Sequence, residues 1–236
     1  MTSTRLPGKV LREVQNKSVL NHIWSRISGS KLIDETVVIT SEDQTDDIIE
    51  KHCNLFSIPV FRGSLLNLLK RHHDAALHYE ADIILKIPSD CPLIDPQIID
   101  RAVSYYLQSN VEYVSNLHPM SLPDGMDVEV FSLNALSKTL NLANNANDFE
   151  HTTTLMWQSG FFTTENVVFD EFSKEATNYR FTLDYQEDWI LIKKVFDNLY
   201  PKNPQFNLKD IINLMIENSS LTLINKMHIG DIWYLK

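Results

Sequence analysis

Three stretches of this chain carry residue types suited to polyphosphate chemistry. The first runs from Met1 to Leu11, where Thr2, Ser3 and Thr4 offer hydroxyls, Arg5 and Lys9 offer cations, and Pro7-Gly8 imposes a tight turn. A polyphosphate needs backbone donors brought close by a glycine and fixed positive charge around its oxygens. Taken alone, the same stretch also reads as a disordered basic N-terminus. The second is Ile87-Pro-Ser-Asp-Cys-Pro-Leu-Ile-Asp95, which puts Asp90 just beyond a buried apolar run. The third is Arg180-Phe-Thr-Leu-Asp184, followed by Asp188. Magnesium favours a few carboxylates plus phosphate oxygens over a complete protein cage, so Asp90 and Asp184 are candidate ligands if they meet across one cleft. Asp184 also fits a helix cap, and Asp95 before Pro96 reads as a cap outright. Asp188 suits a second metal, a sugar hydroxyl, or favourable charge at a helix N-terminus.

These residues need a scaffold that ends strands at one edge. Leu20, Ile23, Trp24 and Ile27 share a helical face, and 35–40 then reads as a buried, β-branched strand. The alternation repeats with a helix from Asp46 to Leu55, a strand at 58–61, a helix from Leu65 to Tyr79, a buried strand at 81–87, a helix at 96–108 and a strand at 111–115. That order predicts an α/β fold with a mainly parallel, doubly wound sheet, whose ligands gather at the carboxyl ends of the strands. After Asn116 the pattern changes. Pro119, Pro123 and Gly125 interrupt the chain, and 126–131 reads as a strand with Val128 and Val130 on one face and Asp127 and Glu129 on the other. A helix from Asn134 to about Ala143, a helical segment holding Glu150 and His151, and strand-like segments near 164–169 and 179–183 complete what reads as an inserted substrate lobe at about 117–180. Helix 186–199 carries Trp189, Ile192, Phe196 and Leu199 on one stripe. No linker divides the 236 residues, so one domain is expected.

Composition narrows the partners. A formal net charge of -10 argues against non-specific nucleic-acid binding. No apolar run approaches the roughly 20 residues that span a bilayer, and the first residues lack the apolar centre of a signal peptide, so a cytoplasmic chain with no membrane contact is expected. Cys53 and Cys91 lack metal-like spacing and read as reduced thiols. His72 and His73 diverge around a helix by about a quarter turn, which disfavours a shared zinc. His151 with Glu150 reads either as an acid–base pair or as a histidine held by a core hydrogen bond.

Six segments occur in an order that resembles the cytidylyltransferases that activate acidic sugars, especially the branch of the spore-coat polysaccharide protein F. They are the stretch from Thr2 to Leu11, Phe61-Arg-Gly-Ser64, Ser89-Asp-Cys-Pro-Leu-Ile-Asp95, Pro123-Asp-Gly-Met-Asp-Val-Glu-Val-Phe131, Glu150-His-Thr152 and Thr182-Leu-Asp184. The resemblance runs from Met1 to about Leu199, and more weakly through 207–216. It implies a Rossmann-like nucleotidyltransferase fold and transfer of CMP from CTP to a nonulosonic or ulosonic acid, with magnesium and release of pyrophosphate. Ser3, Arg5 and Lys9 match the loop that grips the nucleotide phosphates, with Lys9 placed to offset charge on the departing pyrophosphate. Asp90 and Asp184 match the metal-binding carboxylates, and Arg71 and Ser89 fall in nucleotide-binding segments. Asn116, Asp124, Gly125, Asp127, Glu129 and His151 lie in segments that resemble the sugar-binding lobe. A homodimer is consistent with the resemblance.

The chain departs from the family twice. The family has an apolar first strand ending in Gln-Ala-Arg directly before the position of Met1, and near the middle of the sheet, so the resemblance implies a missing strand and unpaired neighbours, as a misplaced start codon would produce. Lys86-Ile-Pro88 stands where relatives often carry an arginine and a glycine. Alternative readings are another nucleotidyltransferase or a glycosyltransferase of related topology, or a chain that binds nucleotide without catalysis.

Overall fold

The computed structural model describes residues 5–172 and 174–231. After a turn at Gly8 and a short 3-10 segment, Glu13–Val14 (β1) and Lys17–Ser18 (β2) form a tight antiparallel hairpin. Helix α1 (Val19–Ile27) starts where the Ser18 hydroxyl accepts from the Asn21 N–H, satisfying one of the first-turn donors. There follow β3 (Val38–Ser41), α2 (Asp47–Leu55), β4 (Val60–Gly63), α3 (Leu68–His78), β5 (Ile83–Lys86), α4 (Pro96–Gln108) and β6 (Tyr113–Ser115). Asp95 caps α4 by accepting from the Gln97 N–H at 2.8 Å, with Pro96 in the first turn as its sequence required. The later elements are β7 (Glu129–Ser132), α5 (Leu133–Leu142), α6 (Ala146–Glu150), α7 (Thr154–Gln158), β8 (Thr164–Asn166), α8 (Gln186–Leu199) and α9 (Leu208–Glu217).

The α/β alternation is present, but the sheet is mixed. β3 and β4 pair in parallel, whereas a four-stranded ladder runs in the order β5-β7-β6-β8, with β7 antiparallel to both of its neighbours. The segment after Asn116 therefore supplies an internal strand, not only an outlying lobe. Both faces of its alternation are buried: Val128 and Val130 have zero exposure, and Glu129 is paired with Lys86 and accepts from the Tyr113 hydroxyl at 2.8 Å. Among the described residues no ladder joins β3 to β5, although Thr40 of β3 and Ser89 beyond β5 line one pocket. Both strands read as buried in the sequence, yet Ile83 is exposed and Val38, Ile39 and Leu85 are half-buried. Among the described residues each pairs with a strand on one side only.

Most apolar area lies in one core where α1, α4, α8 and α9 meet the sheet, with Ile23, Ile99, Val130, Phe181, Ile192, Phe196 and Ile211 at or near zero exposure. The predicted stripe of α8 supplies Ile192 and Phe196 to it, with Trp189 and Leu199 packed at its margin. A second cluster joins α3 and α5 to β6 and β7 through Leu69, Tyr113, Phe131 and Leu136. The expected strand at 179–183 forms no ladder. Residues 180–184 instead stitch two loops together: Phe181 N–H donates to Asp124 O at 2.7 Å and Leu183 N–H to Asp90 O at 2.8 Å.

Candidate active site

The stitched segment puts the carboxylates side by side. Because Leu183 is hydrogen-bonded to the backbone of Asp90, the next side chain, Asp184, projects at the end of the β5 loop. Lys9 arrives from the other side on the first 3-10 segment, after Gly8 has turned the chain with φ 68°. Its ammonium donates to Asp90 Oδ2 and to Asp184 Oδ1, both at 3.0 Å. The two carboxylates thus meet across one cleft and share the Lys9 ammonium. Burial pulls the Lys9 pKa down, but Asp90 and Asp184 outweigh it and hold it above the ordinary value. Burial pushes Asp184 up, and Lys9, Arg5 and Arg180 more than reverse this, so its pKa lies below the ordinary value.

Arg5 reaches the same carboxylate, with its Nη2 3.0 Å from Asp184 Oδ1. Ser3 lies outside the described residues. A pocket of about 210 Å³ opens beside Lys9, lined by Gly8, Thr40, Asp46, Arg71 and Ser89 among others. Arg71 Nε is buried there without a hydrogen-bond partner. An orphaned buried donor at a pocket wall fits an anionic or hydrogen-bond-accepting ligand.

Sequence reasoning missed the hub behind these groups. Arg180, 2% exposed, binds Asp124 at 2.6 Å, Asp184 at 3.0 Å and Asp188 at 3.2 Å. The only signal was the repeat of acidic residues four and eight positions after an arginine. Asp188 has zero exposure and accepts from the N–H groups of Asp184 and Tyr185 and from Asn225, so it serves the helix N-terminus and not a second metal or sugar.

Several residues expected in the sugar-binding lobe have partners within the fold. Asn116 is buried, donating to Met126 O and accepting from Val128 N–H, which fixes the turn into β7. Gly125 has φ +100°, and a Cβ there would lie 2.5 Å from the Phe181 carbonyl carbon, so glycine lets the 181–182 backbone pass. Glu129 is occupied by Lys86 and Tyr113 inside the sheet. Asp127 accepts from Gly125 N–H, and burial with Asp124 and Asp90 nearby raises its pKa. Asp124 faces a cavity with Arg180. His151 ends α6 and does not lie within it; burial keeps its pKa low despite Glu150. His72 and His73 bond apart, to Leu68 O and to the Ser137 hydroxyl, and both cysteines are buried free thiols.

The sequence pattern of the family described as Cytidylyltransferase matches residues 1–221. The chain belongs to this family. The cytidylyltransferase is 27% identical over 224 residues to the spore coat polysaccharide biosynthesis protein SpsF of Bacillus subtilis, covering 92% of this chain and 91% of the relative. It is 28% identical over 110 residues to the 3-deoxy-manno-octulosonate cytidylyltransferase of Geobacter sulfurreducens, covering 43% of this chain and 40% of that one. Its fold superimposes with a TM-score of 0.86 on a solved cytidylyltransferase from Leptospira borgpetersenii, at 31% identity and covering 94% of this chain and 92% of that chain. The fold is therefore the Rossmann-like one of the nucleotidyltransferases, and the chain is a nucleotidyltransferase enzyme. Among the described residues no helix is long and apolar enough to cross a membrane.

Proposed function

We propose that this cytidylyltransferase transfers CMP from CTP to a sugar acid in surface-polysaccharide biosynthesis, releasing pyrophosphate. The observation that carries the reading is the Lys9 ammonium held between Asp90 and Asp184 beside the Arg71-lined pocket. The similarity to SpsF and to the octulosonate enzyme supports the acceptor class. In this reading Arg5, Lys9, Arg71 and Ser89 bind the triphosphate, and Ser3, outside the described residues, is assigned to it from the sequence resemblance alone. Lys9 stays against the phosphoryl oxygens as charge builds on the departing pyrophosphate. The acceptor hydroxyl attacks the α-phosphorus in line, losing its proton to solvent as the new O–P bond forms and the bond to the pyrophosphate oxygen breaks.

The donor set fits magnesium. Two hard carboxylates already share a cation, the Lys9 ammonium, and hard oxygen ligands of this kind suit magnesium. Asp90 and Asp184 would hold the ion, which when bound supplies Lewis-acid stabilisation of the phosphoryl oxygens. Incubating the chain with each nucleoside triphosphate, magnesium and a panel of nonulosonic and ulosonic acids tests the reading. Pyrophosphate should appear with CTP and at least one acid; release only with another nucleotide, or with none of the acids, overturns it.

A further inference from the structure

The chain after α9 turns back onto the acidic turn that carries Asp184. Asn225, 2% exposed, donates to Arg180 O at 2.9 Å and to Asp188 Oδ1 at 2.8 Å. His228 lies flat on the Tyr185 ring, with centroids 3.8 Å apart and planes 6° from parallel, and its Nε2 is 3.3 Å from Glu187 Oε2. The Tyr185 hydroxyl donates to Asp231. Three separate contacts thus clip residues 225–231 to residues 180–188. Between them Ile229 and Gly230 form one side of a cavity of about 290 Å³ whose other walls include Met120, Asp124, Asn178 and Arg180. Gly230 makes the bend with φ 83°.

We propose that this C-terminal strap is the wall of the acceptor subsite that selects the sugar, an inference that rests on the cytidylyl-transfer reading above. The cavity connects to the transfer centre through a single side chain, since Arg180 holds Asp124 on the cavity side and Asp184 on the Lys9 side. Its volume is at the small end for ligand sites, which run from about 300 Å³ upward, and it suits one sugar unit. Its chemistry is that of a polyhydroxylated ring or tail: the Asp124 carboxylate and the Asn178 amide meet hydroxyls, and Ile229 and Met120 meet the C–H face. Arg180 is already committed to three carboxylates, so the cavity reads the hydroxylated end of the acceptor and leaves its carboxylate to other groups. The strap also lies past residue 221, the last residue that the family pattern matches.

The test compares wild type with Ile229→Trp, which fills the cavity from a half-exposed position, and His228→Ala, which removes the stack. Pyrophosphate release is measured with CTP and 3-deoxy-manno-octulosonate, N-acetylneuraminate, a neutral hexose and a hexose phosphate. With whichever probe wild type accepts, Ile229→Trp should raise the acceptor KM by about tenfold or more and leave the KM for CTP within about twofold. An unchanged acceptor KM, or an equal rise for CTP, overturns the strap assignment. If only a non-acidic probe is accepted, the sugar-acid reading fails while the strap is tested on that probe. If no probe is turned over, the transfer reading fails, and the NMR signal of methyl-labelled Ile229 decides the strap independently. A shift with one of the sugars and none with CTP supports it; no shift with any sugar overturns it.

Discussion

Lys9 concentrates the chemistry of this chain because one ammonium answers two carboxylates. Replacing it with alanine should weaken CTP binding and slow transfer by on the order of 100-fold, the range for losing one preorganised charge-stabilising group. Titration calorimetry and pyrophosphate release check the two effects separately, and unchanged values for both would remove Lys9 from the site. Asp90 and Asp184 differ in what else they hold. Asp90 meets Lys9 at the site's rim, whereas Asp184 also partners Arg5 and the buried Arg180. Loss of charge at Asp184 therefore costs stability as well as function, while Asp124 and Asp188 keep Arg180 paired. Lys9, Asp90 and Asp184 were legible because cation, turn and strand-end carboxylate each have a local signature. Asn225 and the strap were not, because their partners lie 37 to 46 positions away; Arg180 has acidic partners four and eight positions on, but the third, Asp124, lies 56 positions back.

At the scale of elements, helices were read more accurately than strands. α4 and α8 carry their own caps and apolar stripes, so their limits match the sequence reading. The strand read at 126–131 is observed at Glu129–Ser132, and its place inside the ladder was not legible because it depends on distant partners such as Lys86. Gly125 shows the same dependence on distant contacts. Gly125→Ala should destabilise the chain by on the order of 2–4 kcal/mol, combining strain at positive φ with overlap against the 181–182 backbone. Urea denaturation measures it, and a loss below about 1 kcal/mol would mean that the two loops part easily. A further effect belongs to α3. Burial lowers the His72 pKa from 6.5 to about 4, outweighing its bond to Leu68 O. The unfolded chain binds the proton first, so His72 contributes stability above about pH 6.5 that is lost as pH falls toward 4. The change is at most about 3 kcal/mol. Denaturation at pH 7 and pH 5 should show this loss, and His72→Asn should shrink it; an equal loss in the variant would place the sensitivity elsewhere.

For the whole molecule, the α/β class followed from alternation, but the separation of the β3–β4 pair from the four-stranded ladder did not. Half-buried Val38, Ile39 and Leu85 and exposed Ile83 sit on strands whose second edges have no described partner.

All three scales meet in the claim that Asp90 and Asp184 serve nucleotidyl transfer together. The most direct measurement is magnesium-dependent pyrophosphate release from CTP and an accepted sugar acid by wild type, Asp90→Asn and Asp184→Asn, each with its circular dichroism spectrum and melting curve. The account predicts a folded protein and a rate reduced by about 100-fold or more in both variants, with the lower melting temperature in Asp184→Asn. A rate near that of wild type in either variant would contradict it.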